Sequence, residues 1–253
     1  TSYFDFARNR SYAIEQCYGM SDYLFLMDAD DRIRGDFKLN GLGEADTYNL
    51  KMGTTDFTYW RPLIFRNNQK YGYRFRCPIH EYLDSKLPAK RFNIKGDYYI
   101  ESGRSGARNQ DPEKYSRDAK VLEEAMLKEG PDSSDYSRLV FYCAQSWKVA
   151  GNVDRAVELY RQCATTKRTW SEARYYSYFQ LAKLKQKANH PWSEIEQVCL
   201  DAMSCGSLRS ETYYLLAKHY FEEHSSSANG PLVLELAEKY AGLGIKIPYP
   251  ENG

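Results

Sequence analysis

Three carboxylates, Asp28, Asp30 and Asp31, follow directly on the apolar run Tyr23-Leu-Phe-Leu-Met27. Where a strand ends and the chain turns, acid groups at this spacing could reach one hard divalent cation, Mn2+ or Mg2+, with water and phosphate oxygens filling its other positions. A second candidate pair is His80-Glu81, in a turn after a strand. Glu81 is a candidate general base and His80 a candidate acceptor or phosphate contact. Arg8 and Asn9 lie near the start of the first helix, where a basic group and free backbone N–H groups could meet an anion. Arg104 and Arg108 occupy a polar, Gly-containing loop and could close over phosphates, or could simply be solvated.

Other chemistries compete for the acidic stretch. A calcium loop requires a fifth-position Asp or Asn and a Glu at position twelve. Arg32 and Leu39 stand there instead, so that reading fails. A phosphatase with Asp28 as covalent nucleophile could also place D-x-D after an apolar strand, but Arg32 occupies a position where such enzymes carry a small residue. A solvated turn is the ordinary fate of such a triplet.

The elements that must position these groups can be read from pattern. The run ending at Met27 has the length and composition of a strand buried on both faces, as inside an α/β sheet, and ligands of such sheets sit beyond the carboxyl ends of the strands. A helix is expected before it, between Thr1 and Met20, with Asp5 at its start and Gly19 at its close. Arg32 to Gly43 reads as a loop and short helix. Strand patterns follow at Thr47–Met52, Thr58–Arg66, Tyr73–Cys77 and Asp97–Gly103. At Asp111-Pro112 the pattern turns helical and stays so to the end. Expected helices run through Asp111–Lys128, Ser137–Ala150, Asn152–Thr166, Ser171–Ala188, a segment opened by a Ser193/Glu196 capping box, Ser210–His224 and Pro231–Leu243. Ala144, Trp147, Gly151, Ala156 and Tyr160 reproduce the small–large–Gly–small–aromatic spacing of a tetratricopeptide helix pair. Ala144, Ala182 and Ala217 recur at a little more than that repeat's period of about 34. The expected division is therefore 1–110, sheet-containing, and 111–253, a helical repeat.

Bulk properties narrow the partners. The chain has 253 residues, 42% hydrophobic and 27% charged, which places it among globular proteins. A formal charge of +1 gives no electrostatic argument for nucleic acid, and no apolar stretch approaches a membrane span. The six cysteines show no CxxC and no metal-ligand rhythm, which suggests reduced, buried thiols and a cytoplasmic location.

Taken together, Asp5-Phe-Ala-Arg-Asn9, Tyr23–Asp31, Arg61-Pro-Leu-Ile-Phe-Arg-Asn67, Pro78-Ile-His-Glu81, Ser102–Arg108 and Lys114-Tyr115, in that order, resemble family 2 glycosyltransferases of GT-A fold. The likeness is to members with a C-terminal tetratricopeptide-like region. It extends through Phe141-Tyr-Cys-Ala-Gln145, Gly151, Ala156–Tyr160 and Arg209-Ser-Glu211. The resemblance implies a partial GT-A, Rossmann-like mixed sheet followed by tetratricopeptide-like helices, with the upstream nucleotide-binding βα units missing from this sequence. It further implies inverting transfer from a nucleotide-diphosphate sugar, UDP-linked, to a protein or glycan acceptor. In it Asp30 is the foremost metal ligand, Asp28 serves ribose or metal-bound water, Asp31 is a third candidate, and Arg8 lies near the nucleotide. The alternative is a non-catalytic tetratricopeptide scaffold attached to an inactive transferase half.

Overall fold

The computed structural model describes residues 5–103, 107–225 and 229–248. The chain divides into two compact units, with the boundary between Arg117 and Asp118.

The first unit opens with helix α1 (Phe6–Gln16), capped by the Asp5 carboxylate, which accepts the Arg8 N–H at 2.8 Å. Eight strands follow: β1 (Tyr23–Phe25), β2 (Arg32–Gly35), β3 (Thr47–Gly53), β4 (Thr58–Arg66), β5 (Arg74–Arg76), β6 (Tyr82–Asp84), β7 (Arg91–Asn93) and β8 (Tyr98–Glu101). Six of them form a mixed sheet in the order β1-β4-β3-β8-β2, with β7 also pairing to β3. The β1–β4, β4–β3 and β8–β2 pairs are antiparallel, and β7 and β8 run parallel to β3. β5 and β6 form a separate antiparallel pair.

β3 is central because its alternation places Tyr48, Leu50 and Met52 on one face, where they pack with Leu63, Ile64, Ile94, Tyr98 and Ile100. Opposite β3, the β4 register skips Leu63, a bulge beside Pro62; a proline, which cannot donate to the ladder, is tolerated at such a break. β1 is shorter than the apolar run that announces it and has a strand neighbour on one side only. Its two faces still serve two cores. Tyr23 and Met27 pack on the β3 cluster; Leu24 and Leu26 pack with Ala7, Ile14, Phe65, Tyr71, Tyr73 and Phe75. The short helix expected between Arg32 and Gly43 is absent from this segment. Instead β2 forms there, because Arg32–Gly35 pairs residue for residue with Tyr98–Glu101.

The second unit is helical. Helix α2 (Lys114–Glu129) spans the boundary, and α3 (Tyr136–Val149), α4 (Val153–Thr165), α5 (Ser171–Lys187), α6 (Trp192–Met203), α7 (Glu211–Glu223) and α8 (Gly230–Ile245) follow. From α3 on, each helix packs against the next. Close approach rests on small side chains: Ala144, Ala156, Ala182 and Cys143 have no exposed surface, and Leu139, Val140, Leu159 and Tyr160 fill the space between. Asn152 caps α4 through the Arg155 N–H at 3.3 Å. The capping box expected at Ser193 does not form. α6 begins one residue earlier, after Pro191, and has no side-chain cap bond.

Candidate functional site

α1 exposes Arg8 and Asn9 and buries Ala7 and Ile14. Arg10 and Ser11 lie three and four residues after Ala7, so they share its buried face. Ser11 fixes the helix against β5, its hydroxyl accepting the Phe75 N–H at 2.8 Å. The Phe6 N–H reaches the Pro78 carbonyl at 2.9 Å. This docking carries the Arg10 guanidinium over the Phe75 ring at 5.7 Å.

Arg10 then joins two distant acids. Its Nη2 donates to Asp28 Oδ1 at 2.5 Å, and its Nε lies 3.1 Å from Glu81 Oε1. Arg61, from β4, approaches the same Glu81 oxygen at 3.7 Å. Exposure grades across the group: the Glu81 side chain is 10% exposed, Arg10 16% and Asp28 43%. The four charges sum to zero. Of the four, Arg10 and Glu81 are largely buried, and their mutual pairing offsets the desolvation cost, while Asp28 and Arg61 stay partly in water.

The acidic triplet is a tight turn. The Asp31 N–H donates to the Asp28 carbonyl at 3.0 Å, and the Asp28 N–H donates to Asp31 Oδ2 at 3.1 Å. Asp31 Oδ1 is buried and has no hydrogen-bond partner. Asp30 is hemmed in by the chain leaving β8. A Cβ on Gly103 would stand 2.3 Å from the Asp30 carbonyl oxygen and 2.4 Å from its Cγ, so only glycine permits this approach.

The β5–β6 connection, Cys77 to Glu81, presents the other half. Cys77 and His80 adopt positive φ, 69° and 55°, an uncommon conformation for residues with side chains and a typical mark of functional turns. Ile79 is buried while His80 is exposed. The turn therefore anchors on Ile79 and delivers Glu81 inward. Arg108 places its guanidinium 4.7 Å over the Phe6 ring. Arg104 lies outside the described residues.

Of the residues singled out in the sequence, the fold brings Asp28 and Glu81 together and leaves Asp30 and Asp31 in the adjoining turn. Arg8, Asn9 and His80 are exposed. Arg10 and Arg61 were missed as site residues. Arg10 had a legible signal, a lone cation on the apolar stripe of a helix, which requires a buried partner. Arg61 had none, since its proximity to Glu81 depends on the β4 bulge and the β5–β6 turn.

Among the described residues no set of three or more His, Cys, Asp or Glu side chains converges as a metal cage. The donors present suit another mode, in which Mg2+ or Mn2+ is held by one or two carboxylates plus phosphate oxygens and water. The orphaned Asp31 oxygen beside Asp28 and Asp30 is the observation that fits it.

No family model matches the chain, and no curated protein matches it.

Proposed function

We propose that the chain is a metal-dependent glycosyltransferase acting on a nucleotide-diphosphate sugar, UDP-linked, with its catalytic centre where Arg10 joins the Asp28–Asp31 turn to Glu81. The observation that carries this reading is that bridge. It joins the Glu81 carboxylate to an acidic turn with an unsatisfied oxygen, from positions far apart in sequence. Asp30 and Asp31 would hold Mn2+ or Mg2+ by their oxygens, with Asp28 toward the ribose or a metal-bound water. When bound, the cation supplies positive charge beside the leaving diphosphate. Glu81 takes the proton of the acceptor hydroxyl. Arg10 and Arg61 hold Glu81 in place, and Arg10 can turn from Asp28 to a phosphate oxygen, since a guanidinium pairs with either anion. The proposed fold is a GT-A-like mixed sheet followed by tetratricopeptide-like helices.

A release assay for UDP from UDP-sugars, with a panel of glycan and peptide acceptors, tests the proposal. Glu81→Gln should lower turnover by about 10²- to 10⁴-fold while leaving UDP affinity within threefold, and Asp30→Ala should lose both. Turnover untouched by Glu81→Gln would remove Glu81 from the chemistry.

One observation favours the alternative, a non-catalytic scaffold. Asp28 is already paired at 2.5 Å, as a purely structural acid would be. That reading expects neither turnover nor nucleotide affinity.

A further inference from the structure

The α3–α5 face of the helical unit carries two lysines that no acid among the described residues neutralises. Lys148, near the end of α3, is half-buried, and its ammonium donates to Gln180 Oε1 at 2.6 Å. Gln180 is 3% exposed, so this neutral amide is fixed in place. Lys183 follows Gln180 by three residues on α5, one turn along the same face, with its ammonium 5.5 Å from the centre of the Phe179 ring. Neither lysine makes an ion pair among the described residues. Some other cations of this unit do: Arg155 is held by Glu123 and Glu158, Lys185 by Glu194, and Arg209 by Glu172. Burial, and then the neighbouring Lys183 charge, lower the pKa of Lys148 from its ordinary value. A half-buried ammonium beside a like charge, with a neutral amide as its hydrogen-bond partner, costs stability that an incoming anion would restore.

The surroundings narrow the anion's source. One heptad before Lys148, on the same face of α3, Phe141 meets Tyr176 edge-on at 5.7 Å and Trp170 edge-on at 5.4 Å. Tyr176 in turn lies four residues before Gln180. Rings committed to one another in this way offer no free-standing platform for bases. Two lysines on a chain of net charge +1 are also far from the basic track that a polynucleotide backbone requires. A carboxylate on a peptide, lying along a helix face with aromatic edges beside it, matches both the charge and the apolar rim.

We propose that Lys148 and Lys183, set by Gln180 on the α3–α5 face, form a seat for a carboxylate of an acidic peptide segment. This inference is independent of the transferase reading, since it involves none of the residues of the acidic turn.

Fluorescence anisotropy of a fluorescein-labelled, end-capped hexaglutamate peptide against the whole chain tests it, with hexaglutamine and a dT6 oligonucleotide as comparisons. Hexaglutamate should bind and hexaglutamine should not. Lys148→Gln and Lys183→Gln should each weaken binding about tenfold, the loss of one charge-assisted contact. Lys239→Gln, exposed on α8, should change it less than twofold. Lys183→Gln, at an exposed position, should also melt no lower than the parent without peptide, because removing one of two like charges relieves repulsion; a merely structural lysine would lower it. Absence of hexaglutamate binding at millimolar peptide, binding unchanged in both seat variants, or tighter binding of dT6 than of hexaglutamate would each overturn the proposal.

Discussion

Arg10 shows most clearly how one residue can organise a site. Its side chain is largely buried and has an acid on each side, so truncation leaves Glu81 to Arg61 alone, at 3.7 Å. Arg10→Met is expected to lower unfolding free energy by about 3 kcal/mol, the typical cost of breaking a buried pair. Arg8→Ala, two residues away on the exposed face, should change it by less than about 0.5 kcal/mol; urea denaturation of the two variants checks the contrast. Asp46 is a second hub of this kind, with no part in the proposed chemistry. The Tyr71 hydroxyl, the Lys90 N–H and the Arg66 guanidinium all donate to its carboxylate, and hold its pKa below the ordinary value, the Tyr71 bond foremost. A depressed carboxylate contributes stability that is complete above its unfolded pKa of about 3.9 and is gone once pH has fallen through the lower folded value. Melting temperature followed from pH 6 down to pH 2 should therefore fall less steeply in Asp46→Asn than in the parent. Neither hub's partners could be foreseen, although Arg10 itself stands out as a cation on the apolar stripe of α1. The acids that could do chemistry stand out by type and spacing, whereas the basic residues that hold them are identified only once α1, β4 and the β5–β6 turn are placed.

At the scale of elements, helices were more legible than strands. Asp5 and Asn152 cap as their residue types suggest, and helix ends at Gly19, Gly130 and Gly151 coincide with positive φ, because these signals are local in the chain. β2 went unrecognised because Arg-Ile-Arg-Gly has almost no pattern of its own and all four residues are exposed. Its partner β8 makes it a strand. β1 was read correctly as apolar but too long, since only three of its residues find register with β4. The buried helix faces give a direct chemical test. Cys143, Cys163 and Cys199 are buried, and burial pushes the Cys143 and Cys199 thiols up to about 12 and raises that of Cys163. At pH 8 a thiol reagent such as DTNB should leave these three unmodified in the native protein and react with all six in denaturant. Fast native labelling at Cys143 or Cys199 would mean that the α3–α4 or α5–α6 packing opens far more readily than so tight a contact allows.

For the whole molecule, the division into a mixed-sheet unit and a helical unit separates the two proposed sites. Asp28, Asp30, Asp31, Arg10, Arg61 and Glu81 all precede the boundary at Arg117, and Lys148, Gln180 and Lys183 all follow it. A nucleotide response and an acidic-peptide response should accordingly be separable by mutation. The passage from strands to helices near Asp111 was readable because both patterns are local in the chain. The convergence of Asp28 on Glu81 was not, because it joins segments more than fifty residues apart through side chains of a third. The most direct measurement is the thermal unfolding of the chain with UDP alone, Mn2+ alone and both together, beside the Asp30→Ala variant. The account predicts stabilisation of roughly 5 °C or more near saturation, only when both are present, and its loss in Asp30→Ala. An unfolding curve that does not move with the pair, or that moves equally in the variant, would contradict it.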